Sequence, residues 1–242
     1  MLGLGNSITG GAALDDFTPA NIANLGLWLK NGTGITSDGG TPDKVSQWDD
    51  SSGNDNHATQ GTSGNQAAES SGGLDFERDN ADFYNLASKI TISQDHNFIV
   101  GFVISPESLN ADDRNCILSD DNNEFVDVRL DKVAINCTGS EVTFTGDANL
   151  FSNSATSSVV ISRNDGSTGT FTLSVNGVTP AGSFNATQAK AIEFDTLGGR
   201  NQTGRPWDGI IHELVVYDFG TGTVTAAELT SLNNYFTSKF GL

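Results

Sequence analysis

Positive charge is scarce in this chain. Its 242 residues carry 12 Lys and Arg against 30 Asp and Glu, a formal net charge of -18. Phosphate binding needs clustered cations, so this balance argues against nucleic acid as a partner and disfavours an anionic membrane surface. Its plain consequence is solubility through self-repulsion. Cysteine is nearly absent. Cys116 and Cys137 do not amount to a disulfide framework in a chain this long, and no CxxC or His-rich spacing suggests zinc. We read them as buried free thiols, with pairing across neighbouring strands left open. No apolar run approaches the length of a membrane span, so membrane insertion is not expected. The opening Met1-Leu-Gly-Leu-Gly-Asn-Ser-Ile8 lacks the basic region and apolar core of a secretory signal. Synthesis in a cytoplasm is expected, with any outside role reached by another route.

Glycine is abundant at 28 residues, proline is limited to 5, and 17% of residues are charged. Many short strands joined by Gly, Asn, Asp and Ser turns give that profile, and an all-β sandwich of this size forms one unit. Phe98, Val100, Phe102 and Ile104 share one face of a strand. Residues 125–130 and 132–137 read as a pair, as do 158–163 and 170–175. Asn176-Gly177 is the strongest hairpin turn, because both positions must accept positive φ. Residues 209–218 form a long strand with little polar interruption, which suggests a central position.

Two helix signals frame these strands. Thr18 as N-cap, Pro19 at the first helical position and a Phe17–Ile22 staple predict a short helix ending near Asn24. Thr225 and Glu228 form a capping box before Leu229, Leu232, Phe236 and Phe240 at helical spacing, and Gly241 is placed to end that helix. Residues 1–16 are Gly-rich, with apolar residues too sparse for a core. They read as an arm preceding one domain over residues 17–242.

The run from Trp48 to Gln60 is the most informative stretch. Gly53 can take positive φ while Asp, Asn and Ser side chains close local turns, which makes a rigid loop of the kind that carries binding on a sandwich. Asp49, Asp50, Asn54 and Asp55 offer hard oxygens suited to Ca²⁺. Turn closure by the same side chains explains them equally without an ion.

These pieces resemble the concanavalin A-like lectin/glucanase superfamily, in its laminin G-like branch. The resemblance is carried by Leu27-Trp-Leu-Lys30 with Val45-Ser-Gln-Trp48, by Asp50-Ser-Ser-Gly-Asn-Asp-Asn-His57-Ala-Thr-Gln60, and by Leu173-Ser-Val-Asn-Gly-Val178. It is completed by Gly209 to Asp218 with Thr225 to Leu242. It implies an all-β antiparallel jelly-roll sandwich with a short N-terminal helix and a C-terminal α-helix. Such domains serve lectins, enzymes, adhesins and virion proteins alike. The start, Met1 to Ile8 followed by a Gly/Ala-rich stretch and Thr18-Pro-Ala-Asn-Ile22, resembles structural proteins of marine tailed phages, cyanophages especially. That implies a virion surface protein, either a capsid decoration, a head fibre or a tail-associated component. Met1, Leu2, Leu4 and Ile8 would anchor it on the major capsid protein or another virion protein, or within a homo-oligomer.

Catalytic patterns are missing. Glucanases of this superfamily aim acids into a groove from alternate positions of one strand. The nearest stretch here is Glu124-Phe-Val-Asp127-Val-Arg129-Leu-Asp131. It sends Glu124 and Asp127 to opposite faces and leaves Asp127, Arg129 and Asp131 as a solvated, ion-paired stripe. None of His57, His96 and His212 lies in a nucleophile motif such as GxSxG. His57 is read as packing or capping its loop, and Glu213, diverging from His212, as satisfying a nearby loop. For sugar binding the best exposed-aromatic candidate is Trp207 with Asp208, although a core role suits Trp207 better. The expectation is a non-enzymatic virion protein. The alternative is an adhesin for host surface glycans, with or without Ca²⁺, and a glycoside hydrolase ranks last.

Overall fold

Alternation along the strands decides which side chains meet between two sheets. Phe98, Val100, Phe102 and Ile104 point into the main core, while Ile99 and Val103 point to the opposite side and are equally buried. A strand covered on both faces needs a second layer outside it, and the C-terminal helix supplies that layer.

The computed structural model describes residues 17–121 and 123–242. The proposed anchor residues Met1, Leu2, Leu4 and Ile8 lie outside the described residues. The first sheet contains β1 (Leu25–Leu29), β5 (Ala68–Ser70), β6 (Gly73–Phe76), β8 (Phe98–Pro106), β13 (Ser157–Asn164), β14 (Thr170–Val175) and β17 (Gly209–Asp218). The second contains β2 (Ile35–Ser37), β3 (Val45–Trp48), β4 (Ala58–Thr59), β7 (Tyr84–Ile92), β9 (Asn115–Ser119) and β10 (Phe125–Arg129). It also contains β11 (Lys132–Cys137), β12 (Ser140–Gly146), β15 (Gly182–Phe184) and β16 (Ile192–Leu197). The strand order is β14-β13-β8-β17-β6-β5 in the seven-stranded sheet, with β1 added on β17. It is β15-β12-β11-β10-β9-β16-β7-β4-β3-β2 in the ten-stranded sheet. All pairings are antiparallel. The fold is therefore an antiparallel jelly-roll sandwich, as the resemblance implied.

The expected hairpins β10–β11 and β13–β14 form in the expected register, with Val126 opposite Ile135 and Ile161 opposite Leu173. Asn176 and Gly177 take φ of 51° and 74° at the tip that follows β14. β17 is central, pairing with β8 along its length and with β6 and β1 on its other edge. The predicted N-terminal helix is a single 3-10 turn, Pro19–Asn21, capped by the Asn21 side chain accepting from Thr18 N. Helix α1 (Ala226–Phe240) begins at Thr225, whose hydroxyl accepts from Glu228 N, and ends at Gly241 in the left-handed region. Among the described residues no helix is long and apolar enough to cross a membrane.

α1 buries Leu232 and Phe236 against Ile99, Val103, Val160, Val215 and Tyr217, sealing the outer face of the seven-stranded sheet. Among the described residues no helix lies over the outer face of the ten-stranded sheet. Cys116 and Cys137 are buried and unpaired; burial raises both thiols, Cys137 to about 12.

One local expectation fails. A bulge in the β17–β8 register between Ile211 and Glu213 inserts an extra residue, so His212 and Glu213 do not diverge. His212 packs on Phe240 at 5.8 Å and meets Ser105 Oγ through Nε2 at 2.8 Å. Glu213, fully buried, satisfies helix α1 and β1 rather than a loop.

Candidate functional site

The signature loop is held by its own polar side chains. The Asp50 carboxylate accepts four hydrogen bonds: Trp28 N at 2.9 Å, Ser52 N at 2.8 Å, Ser52 Oγ at 2.7 Å and Asn56 N at 3.1 Å. Asn54 Nδ2 donates to Leu25 O and Gly26 O, fastening the loop to β1. His57 Nδ1 accepts from Asp50 N at 3.0 Å, so this ring caps the loop. Asp49 Oδ1 accepts from Gln47 Nε2 at 2.6 Å, and Asp55 is exposed at φ 55°. Asp49, Asp50 and Asn54 are therefore engaged in separate local hydrogen bonds, while Asp55 is exposed. Among the described residues no group of three or more His, Cys, Asp or Glu side chains is arranged to hold a metal ion.

Trp207 takes the core role that suited it better, which removes it as a glycan-binding aromatic. Its indole is fully buried in the main core and presents no face to solvent. Asp208 beside it braces two segments, accepting from Arg78 N at 3.2 Å and Ser108 Oγ at 2.5 Å. Trp207 N also donates to Gly198 O at 2.8 Å, closing the loop over residues 198–207. Gly198, at φ 82°, lies so close to the Phe76 ring that a Cβ would sit 2.2 Å from Cε1. Only glycine fits there.

That loop carries Arg200 and Arg205 over Phe125 on the outer face of the ten-stranded sheet. Period-2 geometry explains their neighbours. Val126, Val128, Val133, Ile135, Val142 and Phe144 fill the core, so Phe125, Asp127, Arg129, Glu141 and Thr143 point outward. The guanidinium carbons of Arg200, Arg114 and Arg205 lie 4.9, 5.7 and 5.9 Å from the Phe125 ring centroid. Arg114 engages both Glu141 oxygens through a fork and bonds Asp127 Oδ2 at 3.3 Å. Arg129 Nη2 lies 3.8 Å from Asp127 Oδ1 and 3.6 Å from Glu141 Oε1.

Asp127 and Arg129 are thus ion-paired as expected but not solvated, at 1% and 12% side-chain exposure. Asp131 leaves the stripe altogether and pairs with Lys132 in the β10–β11 turn.

Burial and the crowded arginines set the electrostatics of this face. Burial pushes the Asp127 carboxyl up to about 6, against the pull of Arg129 and Arg114. Burial also opposes ionisation of Glu141, but hydrogen bonds from Arg114 and Thr143 outweigh it and carry the carboxyl below its ordinary range. Arg205 is held below its ordinary value by burial, then by Arg200 and Arg114. Between pH 4 and about 6 the folded chain keeps an Asp127 proton that the unfolded chain releases. Stability should therefore fall as pH rises across that window, by on the order of 2 kcal/mol from this group. Urea titrations at pH 4 and 7 should show a smaller difference for Asp127→Asn than for the parent protein; an unchanged difference would reject the assignment.

Beside the cluster lies a depression of about 430 Å³ lined by Arg78, Asp112, Asp113, Arg114, Arg205 and Pro206. A larger one, about 660 Å³, lies between residues 95–97, 164–170 and 221–223, but Asp, Asn and hydroxyl groups line it without a cation or an aromatic ring. We take the arginine face as the candidate site. Sequence reading missed Phe125, Arg114, Arg200, Arg205 and Glu141 as site residues. The available signal was the clustering of a rare residue type.

No protein-family model and no curated protein sequence matches the chain. Several solved structures share its fold. Domain 4 of AbnA, a GH43 extracellular arabinanase from Geobacillus stearothermophilus solved with arabinotriose, aligns at TM-score 0.57 and 16% identity over 87% of this chain and 98% of that one. The binding domain of Paraclostridial Mosquitocidal Protein 1 aligns at 0.54 and 17% over 88% of this chain. A Trypanosoma rangeli sialidase mutant displaying trans-sialidase activity aligns at 0.55 and 16% over 90%. This chain spans 52% and 33% of the lengths of those last two. At these identities the likeness concerns the fold.

Proposed function

We propose that this chain is a non-enzymatic, lectin-like carbohydrate-binding domain carried on the surface of a tailed-phage particle. The observation that carries the binding part is the open depression beside the arginines that cover Phe125 on the outer side of the ten-stranded sheet. The similarly folded arabinanase domain, solved with arabinotriose, supports a saccharide as the ligand class.

The non-catalytic part rests on how the acids of that face are used. Glycoside hydrolysis needs one carboxyl free to give a proton and a second free to attack or to activate water. Glu141 is tied to Arg114, and Asp127 is buried beneath three arginines. The virion part rests on the resemblance of the opening residues and on the laminin G-like pattern. Deleting residues 1–16 should leave a folded domain that no longer joins particles.

A saccharide array probed with the purified chain tests the binding reading. Retention of at least one glycan class is expected; an array without signal would remove the proposal. Binding and melting temperature should both survive chelation, because the Asp49 and Asp50 carboxylates already have donors from the chain itself. Loss of binding in EDTA would restore calcium to the account.

A further inference from the structure

The ligand's charge follows from the site, provided the carbohydrate-binding reading holds. Five of the six arginines in a chain of net charge -18 gather here: Arg78, Arg114, Arg129, Arg200 and Arg205. Two are committed within the depression. Arg114 grips Glu141 and Asp127, and Arg78 Nη2 donates to Asn115 Oδ1 at 2.5 Å and to Ser108 O at 3.2 Å.

Arg205 is not committed. Its side chain is 36% exposed and donates no hydrogen bond to a described residue; Nη1 is buried, and its carboxylate contact is Asp127 Oδ2 at 3.9 Å. It is also crowded by Arg114 and Arg200 over the same ring. An anion in the depression would satisfy its outward donors and relieve that crowding.

The rim narrows the chemistry. Asp112 and Asp113 line the same depression, and Asp113 Oδ2 lies 3.9 Å from Arg78 Nη1. Those acids, with the overall charge, repel a dense polyanion. They suit a ligand that carries one negative group among several hydroxyl donors. We propose that the depression is a subsite for a carboxylate-bearing saccharide, its carboxylate on the Arg205 fork with Arg78 alongside and its hydroxyls on Asp112 and Asp113. The planar guanidinium matches a carboxylate through two parallel hydrogen bonds, which gives orientation as well as attraction.

The test uses the full chain on an array of uronate- and nonulosonate-containing oligosaccharides, their carboxyl-reduced counterparts, sulfated oligosaccharides and neutral ones. Carboxylated members should be retained, and reduction of the carboxyl should weaken binding about tenfold or more. Arg205→Gln should cause the same loss with an unchanged melting temperature, and Arg205→Lys should recover part of it. Selective binding of neutral or sulfated members, or undiminished binding by Arg205→Gln, would overturn the assignment while leaving a carbohydrate-binding protein. Silence across all four classes would instead sink the reading on which it rests.

Discussion

Replacing Glu213 by Ala is expected to cost about 3–5 kcal/mol of folding stability. The carboxylate is fully buried between β17 and helix α1. Oε1 accepts the Trp28 indole N–H at 2.7 Å and the Tyr235 hydroxyl at 2.8 Å, and Oε2 accepts Lys239 Nζ at 2.5 Å. Removing the anion strands three donors drawn from two elements. Lys239 can recover water, being 25% exposed, but the Trp28 indole sits in the interior. Unsatisfied buried donors account for most of the expected loss. Burial and the neighbouring Glu213 charge also raise the Tyr235 hydroxyl, so it stays a donor. Glu213→Gln keeps an acceptor and should cost roughly half as much. Denaturant unfolding measures both, and hydrogen exchange should show α1 opening first in the alanine variant. A loss below about 1 kcal/mol would mean that apolar contacts, not this hub, dock the helix.

Trp207→Ala should lose about 3–5 kcal/mol, and Trp207→Phe much less. The indole is buried in the core, so truncation leaves a cavity. Its Nε1 has no hydrogen-bond partner, so phenylalanine removes no polar contact. Because the buried indole anchors the end of the 198–207 loop, the alanine variant should also loosen Arg205, two residues earlier. Glycan affinity would then fall together with stability, whereas the phenylalanine variant should keep both. Equal losses in the two variants would contradict this account.

The difference between Trp207 and Arg205 shows what the sequence could and could not reveal. Strand pairs, the Asn176-Gly177 turn and the Thr225 capping box are local patterns of adjacent residues, so they are legible along the chain. Local hydrogen bonding in the signature loop is legible for the same reason: Asp50 closes on Ser52 and Asn56. The arginine face is assembled from the segment before β9, from β10 and β12, and from a loop more than fifty residues farther on. Nothing in spacing links those stretches. The strand pairing of β9 with both β10 and β16 brings them together. The bulge at His212 was hidden too, because an inserted residue leaves the apolar alternation of β17 looking continuous.

The two native thiols have a practical consequence. Both are buried with ionisation suppressed, Cys137 in the core and Cys116 beside Asp127 under the arginines, so maleimide chemistry would find little nucleophile in the folded chain. A single cysteine placed at Val178, which is 66% exposed at the hairpin following β14, would then be the one reactive handle. A fluorophore there sits on the seven-stranded sheet and leaves the arginine face clear to meet its ligand.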